Sequence, residues 1–283
     1  TPKKLAIANV RQISVGEDHT LFLQMNGTVY ATGNYEHNKL GIYNLSGDLR
    51  IPTKVPSFLG ASVVAVSAGT NHGLALYYTT NAASFGDNSY GQLGNGNLLE
   101  TTAIQTVEAS GIFDISAGYN HSMVTNQTGT LYVFGDNSLG QLGLGGMNDG
   151  TIQYISKPTA NEMFLSNVYA MSISAGNKFS TFADRNGVVY GFGDYTQGNG
   201  TEFGLDTIET RSDTPVMIGE SRLVAGDNEV TVVSDGDEVK LNVPDVSKFN
   251  LLLDYNDSVD ITAVSVNGDI ADARIDENGD VYV

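Results

Sequence analysis

Three histidines recur at one position of a repeated pattern. His19, His72 and His121 each stand three residues after a glycine. Neutral imidazole is a common metal ligand, so three imidazoles brought together could hold a transition-metal ion. The same position of the next unit, three residues after Gly176, carries Phe179. A structural repeat explains both the spacing and the exception, so we expect each histidine to bond the backbone of its own turn, with no metal site.

Two aspartates, Asp87 and Asp136, open glycine-rich stretches, and each is followed by an asparagine. Two carboxylates that converge in one pocket can act as general acid and general base. Aspartate and asparagine beside glycine, however, commonly bond the backbone two residues further on and so stabilise turns. We therefore assign Asp87 and Asp136 to turns and predict no catalytic residue.

Acidic fragments at residues 254–260 and 276–280 resemble pieces of calcium-binding loops. Neither has the full twelve-residue ligand pattern with its closing glutamate, and the second overlaps a hairpin turn at Asn278 and Gly279. The chain also has no Gly-x-Ser-x-Gly elbow, no phosphate-binding Gly-Lys-Ser/Thr loop and no His-Glu-x-x-His motif. The sequence predicts neither a metal nor a cofactor.

Tyrosines recur in the predicted loops. Tyr35 and Tyr195 follow a loop glycine by two residues, Tyr90 follows one by four, and Tyr119 comes directly after a glycine. Equivalent loops of a repeat lie on one face, and tyrosine is enriched in protein interfaces because it buries a large area at low entropic cost. These four tyrosines are the candidate partner-binding residues, although any one of them could instead pack between repeats.

The elements that position these residues form an internal repeat. Residues 85–94 return almost unchanged as residues 134–143. A turn glycine recurs at separations of 53, 49 and 58 residues, which indicates one supersecondary unit used repeatedly. The four turn glycines are Gly16, Gly69, Gly118 and Gly176.

Each unit has the pattern of a β-meander. In the first, residues 10–15 precede the turn glycine, and residues 20–25 and 28–32 flank an Asn-Gly pair. Such a pair between β-rich runs predicts a tight hairpin. A long polar loop and a proline-containing segment follow, as at Pro52 and Pro158, and proline suits an edge strand because it lacks an N–H. Three hairpin-connected strands and an edge strand make a propeller blade.

Beyond residue 200 the pattern weakens while its spacing persists. Residues 225–228 repeat the turn marker, Asp235 and Gly236 stand where a hairpin turn belongs, and a sixth unit over 264–283 lacks a fourth strand. An unassigned strand at residues 2–7 could complete that last blade and close the ring.

We therefore predict an all-β fold, a β-propeller of about six four-stranded blades closed by the N-terminal strand joining the C-terminal blade. It would be a single domain over residues 1–283, with clear repeats over 10–200 and degenerate repeats over 201–283. Four blades followed by a β-sandwich from about residue 210 is the alternative.

Composition limits the partners. The chain has no cysteine, which excludes disulfides and thiolate metal sites, and it contains no apolar run long enough for a membrane span. Its net charge is −18, and from residue 200 onward 19 acidic residues face 5 basic ones. Such a field repels phosphate backbones and anionic membranes, so we expect no nucleic acid and no membrane as partner.

The motifs Ser-Ala-Gly-x-Asn-His, Gly-Thr-Leu-Tyr-Val-Phe-Gly and Asp-Asn-Ser-x-Gly-Gln-Leu-Gly resemble the regulator of chromosome condensation repeat family over residues 10–200. The resemblance implies a β-propeller, usually of seven blades, that serves as a rigid platform for protein partners. Members include a chromatin-bound exchange factor for a small GTPase, a bacterial propeller that inhibits β-lactamases, and bacterial and viral repeat proteins. The acidic balance lacks the basic surface for chromatin docking, so we expect the bacterial or viral type.

The function we predict is that of a non-catalytic protein-protein interaction module, an acidic propeller that presents loop residues to a protein partner or assembles into a larger complex. We expect it to be secreted, at a cell surface or on a virion rather than nuclear. Two alternatives remain open. One is an enzyme-inhibiting propeller that plugs a cleft with loop aromatics, and the other is a carbohydrate-active enzyme.

Overall fold

The computed structural model describes residues 5–58, 62–145, 153–161, 168–194 and 211–218, together with six short strands further along the chain. The described elements are β-strands, apart from 3-10 turns at Glu36–Asn38 and Pro56–Phe58. The chain divides into two compact units, Thr1–Asn199 with Glu209–Ile218, and Gly200–Ile208 with Gly219–Val283. The all-β prediction is confirmed.

The first unit contains, in its described residues, four sheets of four antiparallel strands in chain order, which we call blades 1 to 4. Blade 1 consists of β1 (Val10–Val15), β2 (His19–Gln24), β3 (Val29–Gly33) and β4 (Leu49–Lys54). Blade 2 consists of β5 (Val63–Ala68), β6 (His72–Tyr77), β7 (Ala82–Gly86) and β8 (Thr101–Thr106). Blade 3 consists of β9 (Ile112–Ala117), β10 (His121–Asn126), β11 (Leu131–Asp136) and β12 (Tyr154–Ala160). Blade 4 consists of β13 (Ala170–Ala175), β14 (Phe179–Asp184), β15 (Val189–Asp194) and β16 (Arg211–Ile218).

The hairpins form where the turn residues predict them. Gly27, Gly129 and Gly187 have φ values of +79°, +81° and +85°, which glycine adopts without steric cost. In blade 3 the Asn126 carboxamide oxygen accepts bonds from the amides of Thr128 and Thr130, which fixes the turn. The predicted bounds of β1 are confirmed at both ends.

Apolar cores between consecutive blades hold the first unit together. The core between blades 1 and 2 includes Leu21, Val29, Val66 and Phe85. The core between blades 2 and 3 includes Leu74, Ile115, Val124 and Phe134, and that between blades 3 and 4 includes Met123, Val133, Phe182 and Phe192. The first strands β1, β5, β9 and β13 lie against one another in sequence, so the blades stack face to face, as in a propeller.

A serine near the end of the first strand ties each of blades 1 to 3 to the next blade. Each first strand is a sheet edge, so its outward amides have no strand partner of their own. The serine of the preceding blade accepts one of these amides in all three interfaces. The bonds run from Ala68 N to Ser14 Oγ (2.8 Å), from Ala117 N to Ser67 Oγ (2.9 Å) and from Ala175 N to Ser116 Oγ (2.8 Å).

The second unit is described through its strands. β17 (Thr231–Asp235) and β18 (Glu238–Val243) form the antiparallel hairpin that the sequence predicts. β19 (Val264–Val266) pairs parallel with β18, and β20 (Asp269–Ala271) pairs antiparallel with β19. β21 (Arg274–Ile275) and β22 (Val281–Tyr282) form a separate antiparallel pair. The parallel pair distinguishes this sheet from blades 1 to 4. Of the predicted degenerate repeats over 201–283, β16 belongs to blade 4, and the assignment of the rest to two further blades stays a prediction.

Several predictions concern residues outside the described ranges. These residues are 1–4 of the closing strand, Tyr195, the turn marker at 225–228 and the acidic fragments at 254–260 and 276–280. Residues 5–7 are described and lie outside any strand, and ring closure by the N-terminal strand stays a prediction.

In the part of the chain that the structure describes, no helix has the length and apolar character needed to cross a membrane.

Candidate functional site

The repeated histidines connect blades. His72 Nε2 lies 2.8 Å from Ser122 Oγ, and Ser122 Oγ donates to the Gln92 carbonyl at 2.8 Å. One blade later the same arrangement returns, with His121 Nε2 at 2.8 Å from Ser180 Oγ and Ser180 bonded to the Gln141 carbonyl. The serine uses its one proton on the carbonyl, so the histidine must donate from Nε2.

Burial keeps these histidines uncharged. It lowers the pKa of His72 and of His121 to about 3, because a charged imidazole would lose its hydration in the core between blades. Among the described residues, Nδ1 of each ring has no hydrogen-bond partner. We predicted that each histidine would bond its own turn backbone. That prediction is wrong, since the observed partner is a serine of the following blade.

His19 lacks the partner that its two counterparts have. The residue that faces it in blade 2, at the position of Ser122 and Ser180, is Gly73, and neither ring nitrogen of His19 has a partner in the described residues. A side chain at position 73 has no room, because a Cβ there would lie 2.6 Å from the Phe85 ring. Burial, together with the charge of Lys39, lowers the pKa of His19 to about 4.

Three of the four turn glycines are required by close backbone contact. A Cβ on Gly16, Gly69 or Gly118 would lie 2.3–2.6 Å from the carbonyl oxygen of the next turn glycine. The amide of Tyr119 donates to the Gly176 carbonyl at 3.0 Å, which links the turns of blades 3 and 4. These residues position the inner turns.

Lys39 is a buried cation that sequence reasoning missed. Its side chain is 2% exposed, and Nζ donates to Asp18 Oδ1 at 2.9 Å and to Asn71 Oδ1 at 2.7 Å. Lys39 occupies the position that Gln92 and Gln141 hold in later blades. All three residues are followed by Leu-Gly, and this shared pair is the sequence signal that identifies the position. The lysine therefore joins the turn of blade 1 to the turn of blade 2.

The aspartates of the glycine-rich loops serve the loops themselves. Asp87 Oδ1 accepts from the Ser89 amide at 3.0 Å, and Asp136 Oδ1 accepts from the Ser138 amide at 2.9 Å. The Gln92 carboxamide donates to Asp87 and accepts from the Tyr90 amide. The turn assignment is confirmed. No group of three or more potential metal ligands occurs within the described residues.

Three of the four predicted tyrosines are described, and all three are exposed at one end of the blades. Tyr35 and Tyr90 are each 39% exposed and lie in loops between third and fourth strands, whereas Tyr119 is 41% exposed in a turn between first and second strands. Antiparallel order brings both kinds of loop to the same end of each sheet. We call this end the loop face.

A shallow depression of about 330 Å³ lies where the four inner turns meet on the loop face. Tyr119, Glu17 and Asn177 line it together with the turn glycines. A second groove, of about 440 Å³, lies at the outer strand of blade 2, beside Tyr43. Sequence reasoning missed Tyr43, which is 62% exposed, because the equivalent positions of the next two units are glycines, Gly96 and Gly145.

Comparison with protein-family models assigns most of the first unit to one repeat family. The model described as the regulator of chromosome condensation (RCC1) repeat matches residues 26–76, 84–125 and 128–183, more than half of the chain. A second model with the same description matches residues 114–141.

Two characterised relatives illustrate the range of the repeat. The guanine nucleotide exchange factor SRM1 of Saccharomyces cerevisiae is 35% identical over 99 residues, which are 35% of this chain and 20% of the relative. The ultraviolet-B receptor UVR8 of Arabidopsis thaliana is 30% identical over 95 residues, 34% of this chain and 21% of the relative. The chain thus aligns with about a fifth of each.

Solved structures agree on the fold. Prp20p from Saccharomyces cerevisiae is 27% identical with a TM-score of 0.65, and the alignment covers 78% of this chain and 53% of that one. Human WBSCR16 is 22% identical with a TM-score of 0.65, covering 78% of this chain and 56% of that one, and it shows the fold alone. The chain spans about half the length of these structures.

Proposed function

The chain belongs to the regulator of chromosome condensation repeat family, and on this basis we propose that it is a non-catalytic module that binds a protein partner through its loop face. The yeast relative of known structure is described with its binding properties to Gsp1p and histones, so protein partners are in keeping with the repeat. The observation that carries the proposal is the exposure of Tyr35, Tyr90 and Tyr119 on one end of a closely packed scaffold.

The polar groups that a catalytic site would need are used by the scaffold. His72 and His121 are neutral, buried and bonded to serines, and Asp87 holds its own loop. A general acid or base must reach the substrate with a pKa near the working pH, whereas both histidines are fully buried and burial lowers the pKa of each to about 3. The described part of the first unit therefore supports binding better than catalysis.

The loop face has the properties of a recognition surface. Its tyrosines combine apolar area with a hydroxyl group, and the turns that carry them are fixed by backbone bonds, so little conformational entropy is lost on binding. Glu17 and Glu36 lie in loops of the same face and favour a partner with a basic surface. A cell-surface, secreted or virion location stays a prediction.

A substitution series tests the proposal. The unmodified chain, immobilised, is used to capture partners from the source organism, and a captured protein is then titrated as a purified sample. We expect the triple variant Tyr35→Ser, Tyr90→Ser and Tyr119→Ser to weaken its binding at least tenfold. Tyr78→Ser is the matched control, because Tyr78 is 78% exposed in the turn between β6 and β7, at the opposite end of blade 2.

The opposite pattern would contradict the proposal. If the triple variant binds as tightly as the unmodified chain while Tyr78→Ser loses binding, the partner surface is not the loop face. Circular dichroism of each variant verifies that the blades are intact.

A further inference from the structure

Three of the four outer strands described in the first unit carry proline at one equivalent position. The register shows the equivalence, because the residue after each proline pairs with the same position of the third strand. These pairs are Thr53 with Ala31, Thr159 with Val133 and Val216 with Gly191, following Pro52, Pro158 and Pro215. In blade 2 the corresponding pair is Gln105 with Ser84, so Ile104 stands where the other blades have proline.

This difference changes the hydrogen-bonding capacity of the strand edge. The amide of Val107 donates inward to the Ala82 carbonyl at 3.0 Å. Amides alternate in direction along a strand, so those of Ile104 and Thr106 are directed away from β7, toward the outer edge. In the other three blades the residue equivalent to Ile104 is proline. Proline has no amide N–H, so a further strand cannot pair at that position. β8 lacks this protection.

A groove accompanies the unprotected edge. Tyr43, Tyr77 and residues 103–106 line its volume of about 440 Å³. Ile104 and Tyr77 are partly buried against the core between blades 1 and 2, whereas Tyr43 is exposed. Alternate side chains of an extended segment paired with β8 would enter this groove, which is the geometry of β-strand addition.

Charge indicates which segment fits. Glu100 precedes β8 and Glu108 follows it, and their side chains are 52% and 48% exposed. Their neighbours in the same chain are His37 at 3.5 Å and Lys157 at 3.3 Å, and such exposed pairs are weak. The central strand residues Thr101–Thr106 are uncharged.

A second copy of this chain is disfavoured as the occupant. Antiparallel pairing of two β8 edges would bring Glu100 of one copy near Glu108 of the other, between chains that each have a net charge of −18. We propose that the outer edge of β8 binds, by strand addition, an extended peptide segment of a partner protein with an uncharged β-forming centre and Lys or Arg at both ends. This site is separate from the loop-face tyrosines.

A peptide array tests the site. The probes are eight-residue acetylated peptides with lysine at both ends and alternating Val, Ile, Thr or Tyr between them. We expect array peptides to bind the unmodified chain at least tenfold more tightly than the Ile104→Pro variant, which copies the sequence of the other blades. Ile51→Thr, at an exposed position of β4 outside the groove, should bind like the unmodified chain.

Peptide chemistry supplies a test that does not depend on the folding of a variant. Single N-methylation along a bound peptide should abolish binding to the unmodified chain at every second residue only, because only those amides face β8. The proposal would be overturned if N-methylation weakened binding equally at all positions. It would also be overturned if the peptides bound Ile104→Pro as tightly as the unmodified chain, or if they bound no more tightly than peptides with the lysines moved to the centre. Tyr119→Ala should leave peptide binding unchanged, so a failure of the loop-face proposal is distinguishable from a failure here.

Discussion

His121 of blade 3 lies 2.8 Å from the hydroxyl of Ser180 in blade 4, although 59 residues separate them in the sequence. The serine passes the interaction on to the Gln141 carbonyl, which belongs to the long loop of blade 3. One buried relay thus joins the second strands of two consecutive blades and the long loop of the first. Because each member is fully buried, the relay depends on every partner being present.

Acid should destabilise the first unit through these histidines. Their folded pKa of about 3 lies below the value near 6.5 of the unfolded chain, so the unfolded state binds more protons between these pH values. Stability is therefore retained above pH 6.5 and falls as the pH drops toward 3, by about 1.4 kcal/mol per pH unit for each histidine. His121→Gln keeps an N–H toward Ser180 and removes the titration. The free energy of unfolding is measured by urea denaturation at several pH values between 4 and 6. In the variant, the dependence of this free energy on pH should be weaker by the contribution of one proton. An unchanged pH dependence would show that His121 does not titrate as described.

Removing the serine hydroxyl should be costly. Ser122→Ala deprives the His72 Nε2–H and the Gln92 carbonyl of their partner in a buried site, which should lower the free energy of unfolding by about 2–4 kcal/mol. Ser180→Ala should have a similar effect one blade later. Ser46→Ala, in an exposed loop position, serves as the control and should stay within about 0.5 kcal/mol of the unmodified chain. Equal small losses at all three positions in chemical denaturation would show that the relay adds no stability.

The charges around His19 should move its pKa in opposite directions. The positive charge of Lys39 lowers this pKa and the carboxylate of Asp18 raises it. NMR titration of the His19 ring should therefore find a higher pKa in Lys39→Gln and a lower pKa in Asp18→Asn. Glutamine is the residue that later blades have at the lysine position, so the first variant should fold. Shifts of the same sign in both variants would mean that a structural change, and not charge, determines the pKa of the His19 ring.

Contact between a loop and the next blade can be measured with a pair of glycines. Gly91 has a φ of +83°, and a Cβ there would lie 2.5 Å from the Ser156 Cα of blade 3. Gly111 has a φ of +68° with no atom within 4 Å of such a Cβ. Gly111→Ala should cost about 1 kcal/mol, the usual penalty for positive φ, whereas Gly91→Ala should cost roughly 2–4 kcal/mol because backbone must move. If thermal unfolding shows similar losses of stability for Gly111→Ala and Gly91→Ala, the loop of blade 2 is not in close contact with blade 3.

Local chemistry explains what could be predicted. Hairpin strands and turns follow from Asn-Gly pairs and alternating β-forming residues, and the loop aspartates bond within two residues, so the sequence contains the whole interaction. The partners of His72 and Lys39 lie 50 and 32 residues away, in another blade, and no pattern within one unit identifies them. Ile104 was overlooked for a related reason. Its meaning appears only when the register of four outer strands is compared.

The histidine–serine contact between blades also determines which blades can be neighbours. A blade that supplies a histidine needs a neighbour that supplies a serine directly after its own histidine position. Among the four described blades the adjacent pairs are His19 and Thr20, His72 and Gly73, His121 and Ser122, and Phe179 and Ser180. Blade 3 alone of these combines histidine with serine, and so it is self-complementary. A gene duplication that placed blade 3 next to its own copy would restore the relay at the new junction, whereas a tandem copy of blade 2 would face its histidine with glycine.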